Sequence, residues 1–184
     1  SQASMIQRAG RAGRLESGIC LHLTSAEQAE RASLQSEPEI LQSDLSGLLL
    51  DLLQWGCQDP GQLTWLDTPP ATNLAAAQTL LRQLNALDGQ NKLTPVGQKM
   101  ANLGNEPRLA AMLVNAKDAD QQATAARLVA ILEEPPRGQD SDLRNAFSRR
   151  QDNWQQRSSQ LLKRLNSRGG EADFSLAAPL LAQA

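Results

Sequence analysis

The chain has 184 residues, 40% of them apolar, but only two Phe, three Trp and no Tyr, so its core must be built from Leu and Ala, which favours helices over a β-sandwich. No apolar run approaches the roughly 20 residues needed to cross a bilayer, and the lone Cys20, Cys57 and His22 leave no ligand set for zinc and fit the reduced thiols of a cytoplasmic protein. The net charge of −2 hides an uneven spread: three arginines and no acid in residues 1–14, seven basic against fifteen acidic groups in 15–136, and eight basic against three acidic groups in 137–168.

In chain order, residues 4–14 read as a short helix and Ile19-Cys20-Leu21-His22-Leu23 as a buried strand. Thr24 and Ser25 cap a short helix through Ala32. Ser36-Glu37-Pro38-Glu39 matches a capping box, and Leu45, Leu48, Leu49, Leu52 and Leu53 recur on one helical face. Turn residues fill 56–72, with Trp55 and Trp65 beside them read as core residues. Asn73 then caps a helix that carries Leu74, Ala77, Leu80, Leu81, Leu84 and Leu87, and Asp88-Gly89 stops it. A small hairpin or wing fits Asp88–Leu93. Thr94-Pro95 opens a helix that ends at Gly104, and Asn105 with Pro107 opens the next. A helix is predicted over 119–133. Pro135-Pro136 breaks the chain, and one long helix over 141–167 carries the seam Leu143, Phe147, Trp154, Leu161 and Leu165.

One stretch carries chemistry: Gln7-Arg8-Ala9-Gly10-Arg11-Ala12-Gly13-Arg14. On a helix at 100° per residue, Gln7, Arg11 and Arg14 fall within about 60° of one another, with Arg8 displaced to about 100°. Two guanidiniums side by side repel each other and are stabilised by a dense anion between them. Guanidiniums neutralise a phosphoryl group in transfer, and an amide orients an attacking water. Spacing alone leaves a second reading open, a basic helix that packs or touches a nucleic-acid backbone. Its two glycines cost about 2 kcal/mol of helix propensity.

The same eight residues resemble motif VI of the DEAH-box helicases of superfamily 2, which are ATP-dependent RNA helicases. Further likeness follows in Gly18–Leu23, in Glu37-Pro38-Glu39-Ile40-Leu41, in Leu66-Asp67-Thr68-Pro69-Pro70, in Leu84-Asn85-Ala86-Leu87-Asp88-Gly89, where Asn85 replaces a common Gly, in Leu93-Thr94-Pro95-Val96-Gly97, and in Glu106–Leu113. It covers residues 1 to about 135 and is nearest to the bacterial members. The resemblance implies a mainly α fold: the last helix and strand of a second RecA-like domain over 1–35, a winged-helix domain over 36–104, and an incomplete helical ratchet-like domain over 105–184. It assigns Gln7, Arg11 and Arg14 to the ATP γ-phosphate, with Mg²⁺ in the whole enzyme and none expected on this chain. It implies RecA-like domains in cis and single-stranded RNA as partners, no membrane, and a cytoplasmic enzyme.

No GxxxxGK[ST] loop and no Asp-Glu-Ala-His sequence occurs, and the chain opens on Ser1 rather than Met. The expectation is therefore a piece of the enzyme that cannot turn over ATP alone and whose first 35 residues fail to bury their apolar sides. Arg149, Arg150, Trp154 and Arg157 are the candidates for nucleic acid, by charge and stacking. The alternative is a non-enzymatic winged-helix or helical adaptor that binds nucleic acid.

Overall fold

The computed structural model describes residues 1–104, 106–136, 142–149, 151–167 and 169–183. They form two compact units: residues 1–43 with 66–69, and residues 44–65 with 70–183.

The second unit is helical. Helix α3 (Ser46–Gln54) buries Leu49, Leu50 and Leu52, with Leu45 just before it, so the leucine repeat does face the core. Its first free N–H, that of Ser46, donates to the Asp44 carboxylate at 2.6 Å. Hydrogen bonds from the Ser46 hydroxyl and N–H, then the charge of Arg108, hold the Asp44 carboxyl below its ordinary range. Trp55 is the C-cap of α3 and is 80% exposed, against the core position expected for it, because the buried face of α3 ends at Leu52. Trp65 is half-buried and donates its indole N–H to the Pro60 carbonyl at 2.8 Å.

Helix α4 (Ala71–Gln83) buries Ala77, Leu80 and Leu81. It starts after Pro70, not at Asn73, and stops before Asn85, whose φ of 57° is left-handed, rather than at Asp88-Gly89. Asparagine is the ordinary residue most at ease there. The left-handed backbone at Asn85 is thus one that glycine or asparagine adopts without strain. Leu87 and Leu93 then pair as an antiparallel bridge, and the Asp88 carboxylate accepts the N–H groups of Lys92 (2.9 Å) and Gln90 (2.8 Å) to close the wing. Those bonds, Lys92 first, lower the Asp88 pKa.

Helix α5 (Pro95–Leu103) is fastened to this turn. The Thr94 hydroxyl donates to the Asn85 carbonyl at 2.6 Å and accepts the N–H of Gly97 at 3.0 Å. Gly104, at φ 65°, ends α5. Helix α6 (Pro107–Asn115) buries Ala110–Leu113, and Glu106 rather than Asn105, which lies outside the described residues, caps it. Helix α7 (Ala119–Glu133) is the centre of the unit, with eight buried residues from Ala123 to Ile131, and packs against α6, α9 and α10.

The single long helix expected over 141–167 is two: α8 (Leu143–Ser148) and α9 (Asp152–Arg164), with Arg149 extended at ψ 138°. Arg127 of α7 donates to the Arg149 carbonyl at 2.9 Å, which takes the acceptor a continuing helix would use. The break lets Phe147 meet Phe174 edge-on at 5.3 Å while Trp154 and Leu161 still reach the core. The chain closes with α10 (Ala177–Leu181), after a 3₁₀ turn at Phe174–Leu176. The buried Thr124 hydroxyl donates to Asp120 O at 2.8 Å and accepts the Asp173 N–H at 3.0 Å, tying this tail to α7.

The first unit holds α1 (Gln2–Ala9), α2 (Ala26–Arg31) and a 3₁₀ turn at Glu39–Leu41. Ser25 and Gln28 form a full capping box on α2. No residue from 1 to 44 is buried. The strand expected at Ile19–Leu23 does not form: Ile19, Leu21 and Leu23 are 85–102% exposed, His22 is exposed, and no described residue pairs with their backbone. Alternation selects a face only where a neighbouring strand exists to pair with.

Candidate phosphate-facing segment

The Gln7–Arg14 stretch sits at the end of α1 and just beyond it. Ser1 caps the start, its hydroxyl accepting the Ser4 N–H at 3.4 Å. The helix stops at Ala9, short of the predicted Arg14, with Gly10 as C-cap. Arg11 N–H to Arg8 O (3.2 Å) and Ala12 N–H to Ala9 O (3.1 Å) tighten the last turn through i→i+3 bonds. The two glycines thus fall outside the helix interior, where their propensity cost does not apply. In consequence only Gln7 lies on a regular helix, Arg11 lies on the tightened turn, and Arg14 lies on the bend after it.

The side chains of this stretch divide into two kinds. Arg8 folds back along α1, donating from Nε to the Ser4 carbonyl at 3.3 Å and from Nη2 to the Ser4 hydroxyl at 3.2 Å. Gln7, Arg11 and Arg14 are exposed, and their side chains have no hydrogen bond or ion pair with any described residue. Two uncompensated guanidiniums and an amide within eight residues can take up an anion without breaking an existing contact. Gln7–Arg14 contains no carboxylate, and among the described residues no group of three His, Cys, Asp or Glu lies together.

A hydrogen-bond cluster that the sequence did not signal lies at the other end of α1. The backbone N–H of Gln2 donates to Ser33 O at 2.8 Å and that of Ala3 to Leu34 O at 3.0 Å. The Gln2 amide donates to the carbonyls of Glu30 and Ala32, at 3.0 Å each. Between α1 and α2 runs an apolar groove of about 830 Å³ that includes Met5, Ile6, Ala9 and Ala29.

The four nucleic-acid candidates do not form one surface. Trp154 is 3% exposed and donates its indole N–H to the Glu134 carbonyl at 2.9 Å, so its ring faces are in the core and cannot stack on a base. Arg157 makes a two-pronged ion pair with Glu133, at 2.7 and 2.9 Å, which also raises the pKa of its guanidinium. Arg149 is exposed, and Arg150 lies outside the described residues. Other cations of this half serve packing as well: Arg127 lies over Phe147, Arg144 over Phe174, and Arg164 donates to the Leu103 carbonyl at 2.5 Å. Charge counted along the chain could not reveal this, because the partners are 20 to 61 residues away. No described helix is long and apolar enough to cross a membrane.

Comparison with known proteins gives a consistent picture. Residues 77–104, the second half of α4 through the Leu87–Leu93 bridge to α5, match the winged-helix form of the helicase associated domain (HA2). The whole chain is 71% identical over 184 residues to the ATP-dependent RNA helicase HrpB of Escherichia coli K12, of which it covers 23%. A crystal structure of the E. coli DEAH/RHA helicase HrpB superposes on all of the chain with a TM-score of 0.91, the chain covering 23% of it. The probable ATP-dependent RNA helicase DHR2 of Saccharomyces cerevisiae is 37% identical over 118 residues, which are 64% of this chain and 16% of that protein. The chain thus spans less than a quarter of the length of the relatives it matches.

Proposed function

We propose that this chain, which belongs to the DEAH-box helicases, contributes to an ATP-dependent RNA helicase the wall that faces the γ-phosphate, together with the winged-helix and ratchet-like domains that follow it. The observation that carries the reading is the unbroken Gln7–Arg14 motif, with three exposed side chains that have no partner among the described residues. ATP supplies the phosphoryl group, and its other contacts come from the RecA-like domains in cis. Arg11 and Arg14 neutralise charge that grows on the transferred group, and the Gln7 amide orients the attacking water. Arg8, held to Ser4, stays with its own helix. Mg²⁺ would accompany the nucleotide in the whole enzyme and bridge its phosphates, with its protein ligands coming from the RecA-like domains in cis.

The whole enzyme would work in the cytoplasm on single-stranded RNA. Within this chain the exposed Arg149 is the candidate that remains for that contact. The same reading divides the chain into 1–35 for the end of a RecA-like domain, 36–104 for the winged helix and 105–184 for the ratchet-like part. In the full-length protein, Arg11→Ala and Arg14→Ala are each expected to lower ATP turnover by about 10²-fold or more, with nucleotide affinity little changed, because the contact belongs to the transition state. Steady-state turnover and nucleotide titration check this. Full turnover in both variants would sink the assignment.

A further inference from the structure

Neither α1 nor α2 buries a residue, so hydrophobic packing does not fix how α1 is aimed. Hydrogen bonds do, and most of them converge on Gln2. A helix start leaves N–H groups without intrahelical partners, and a helix end leaves carbonyls without donors. Gln2 serves both ends at once. Its backbone N–H goes to Ser33 O, while its side-chain amide caps the Glu30 and Ala32 carbonyls at the end of α2. A second strand of bonds runs alongside. The Ser36 hydroxyl donates to the Ser1 hydroxyl at 3.0 Å, Ser1 accepts from Ser4 N–H, and Ser4 accepts both bonds from Arg8. The segment 30–36 is therefore joined through α1 to the turn that bears Arg11.

We propose that Gln2 is a positioning residue: it locks the start of α1 to residues 30–34 and so fixes where the far end of the helix presents Arg11 and Arg14. This rests on the phosphate-facing reading of those arginines. The lever is short but sufficient. Eight residues span about 12 Å, so a tilt of about 10° at the start moves the far end by about 2 Å. A misplacement of about 1 Å can cost 10²-fold in rate. The chemistry of the lock is one-sided, since both partners of the amide are carbonyls and only a donor satisfies them.

The test uses the full-length protein with Gln2→Ala, Gln2→Lys, Gln2→Glu and, as reference, Arg11→Ala, measuring ATP turnover against ATP concentration and the thermal midpoint of each. Gln2→Ala is expected to lower kcat about tenfold with KM for ATP within about twofold. Gln2→Lys, which has donors only, recovers most of the loss. Gln2→Glu sets a carboxylate against two carbonyls and stays as slow as Gln2→Ala. If Gln2→Ala turns over like the parent while Arg11→Ala collapses, the positioning role is wrong and the phosphate-facing reading stands. If Arg11→Ala keeps its turnover, both fall together. A loss of kcat that tracks a lowered thermal midpoint and is not recovered by Gln2→Lys assigns Gln2 a structural role only and overturns the proposal.

Discussion

Gly97 shows how one absent methyl group can organise a domain. It lies in the first turn of α5, and a Cβ placed there would fall 2.1 Å from the Ala86 carbonyl oxygen and 2.9 Å from its carbon. These are backbone atoms, held in place by Thr94, whose N–H donates to the same carbonyl at 3.0 Å. The only relief is to push α5 away from the turn that follows α4. Gly97→Ala is therefore expected to destabilise the second unit by about 3 kcal/mol, which for a chain of this size lowers the thermal midpoint by roughly 6–12 °C. Gly89 is the control: a Cβ there meets nothing within 4 Å, so Gly89→Ala should change stability by under about 1 kcal/mol. Thermal unfolding of both variants decides the matter, and equal midpoints would show that the close approach carries no energy. The sequence showed Gly97 only as a letter in a Leu-Thr-x-x-Gly segment. What makes it necessary is a carbonyl eleven positions earlier, which no local pattern contains.

At the scale of elements, periodicity read burial well and continuity poorly. Phe147, Trp154 and Leu161 are all buried, as their spacing of seven implies, yet they sit on two helices. A repeat reports which side chains leave water. It does not report whether the backbone between them stays helical, and here the Arg127 bond to the Arg149 carbonyl decides that. The same limit explains Ile19–Leu23, where alternation was present but a pairing strand was not. It also explains Trp154, which stands beside arginines in sequence and inside the core in space. Trp154→Ala is expected to cost about 3–5 kcal/mol, as removal of a buried aromatic does. Trp154→Phe should cost less, about 1 kcal/mol for the lost bond to the Glu134 carbonyl plus a small cavity term. Urea unfolding measures both. An unchanged midpoint for Trp154→Ala, together with weakened binding to single-stranded RNA, would restore the stacking role that the burial of the ring argues against.

Across the described residues, burial begins at Leu45. No residue from 1 to 44 is buried, and α1 and α2 hold their form through caps and exposed hydrogen bonds. The chemistry-bearing motif therefore lies in the part of the chain with the least packing. The side of α1 that carries Met5, Ile6 and Ala9 borders an open apolar groove, and an isolated helix of this length is marginal in water. Stability in such a molecule is not one number but a gradient, with local opening nearly free at one end and global at the other. Native-state hydrogen exchange on residues 1–184 can read it directly. Amides of Met5 to Ala9 should exchange with little protection, whereas those of Ala125 to Ile131 in α7 should open only with the global unfolding of their unit. In the full-length protein, RecA-like domains packed on the apolar side of α1 should make the Met5–Ala9 amides strongly protected while those of α7 change little. Protection of Met5–Ala9 equal to that of α7 in the 184-residue chain would show that the first unit folds stably by itself. The aim of Arg11 and Arg14 would then not depend on what packs against it.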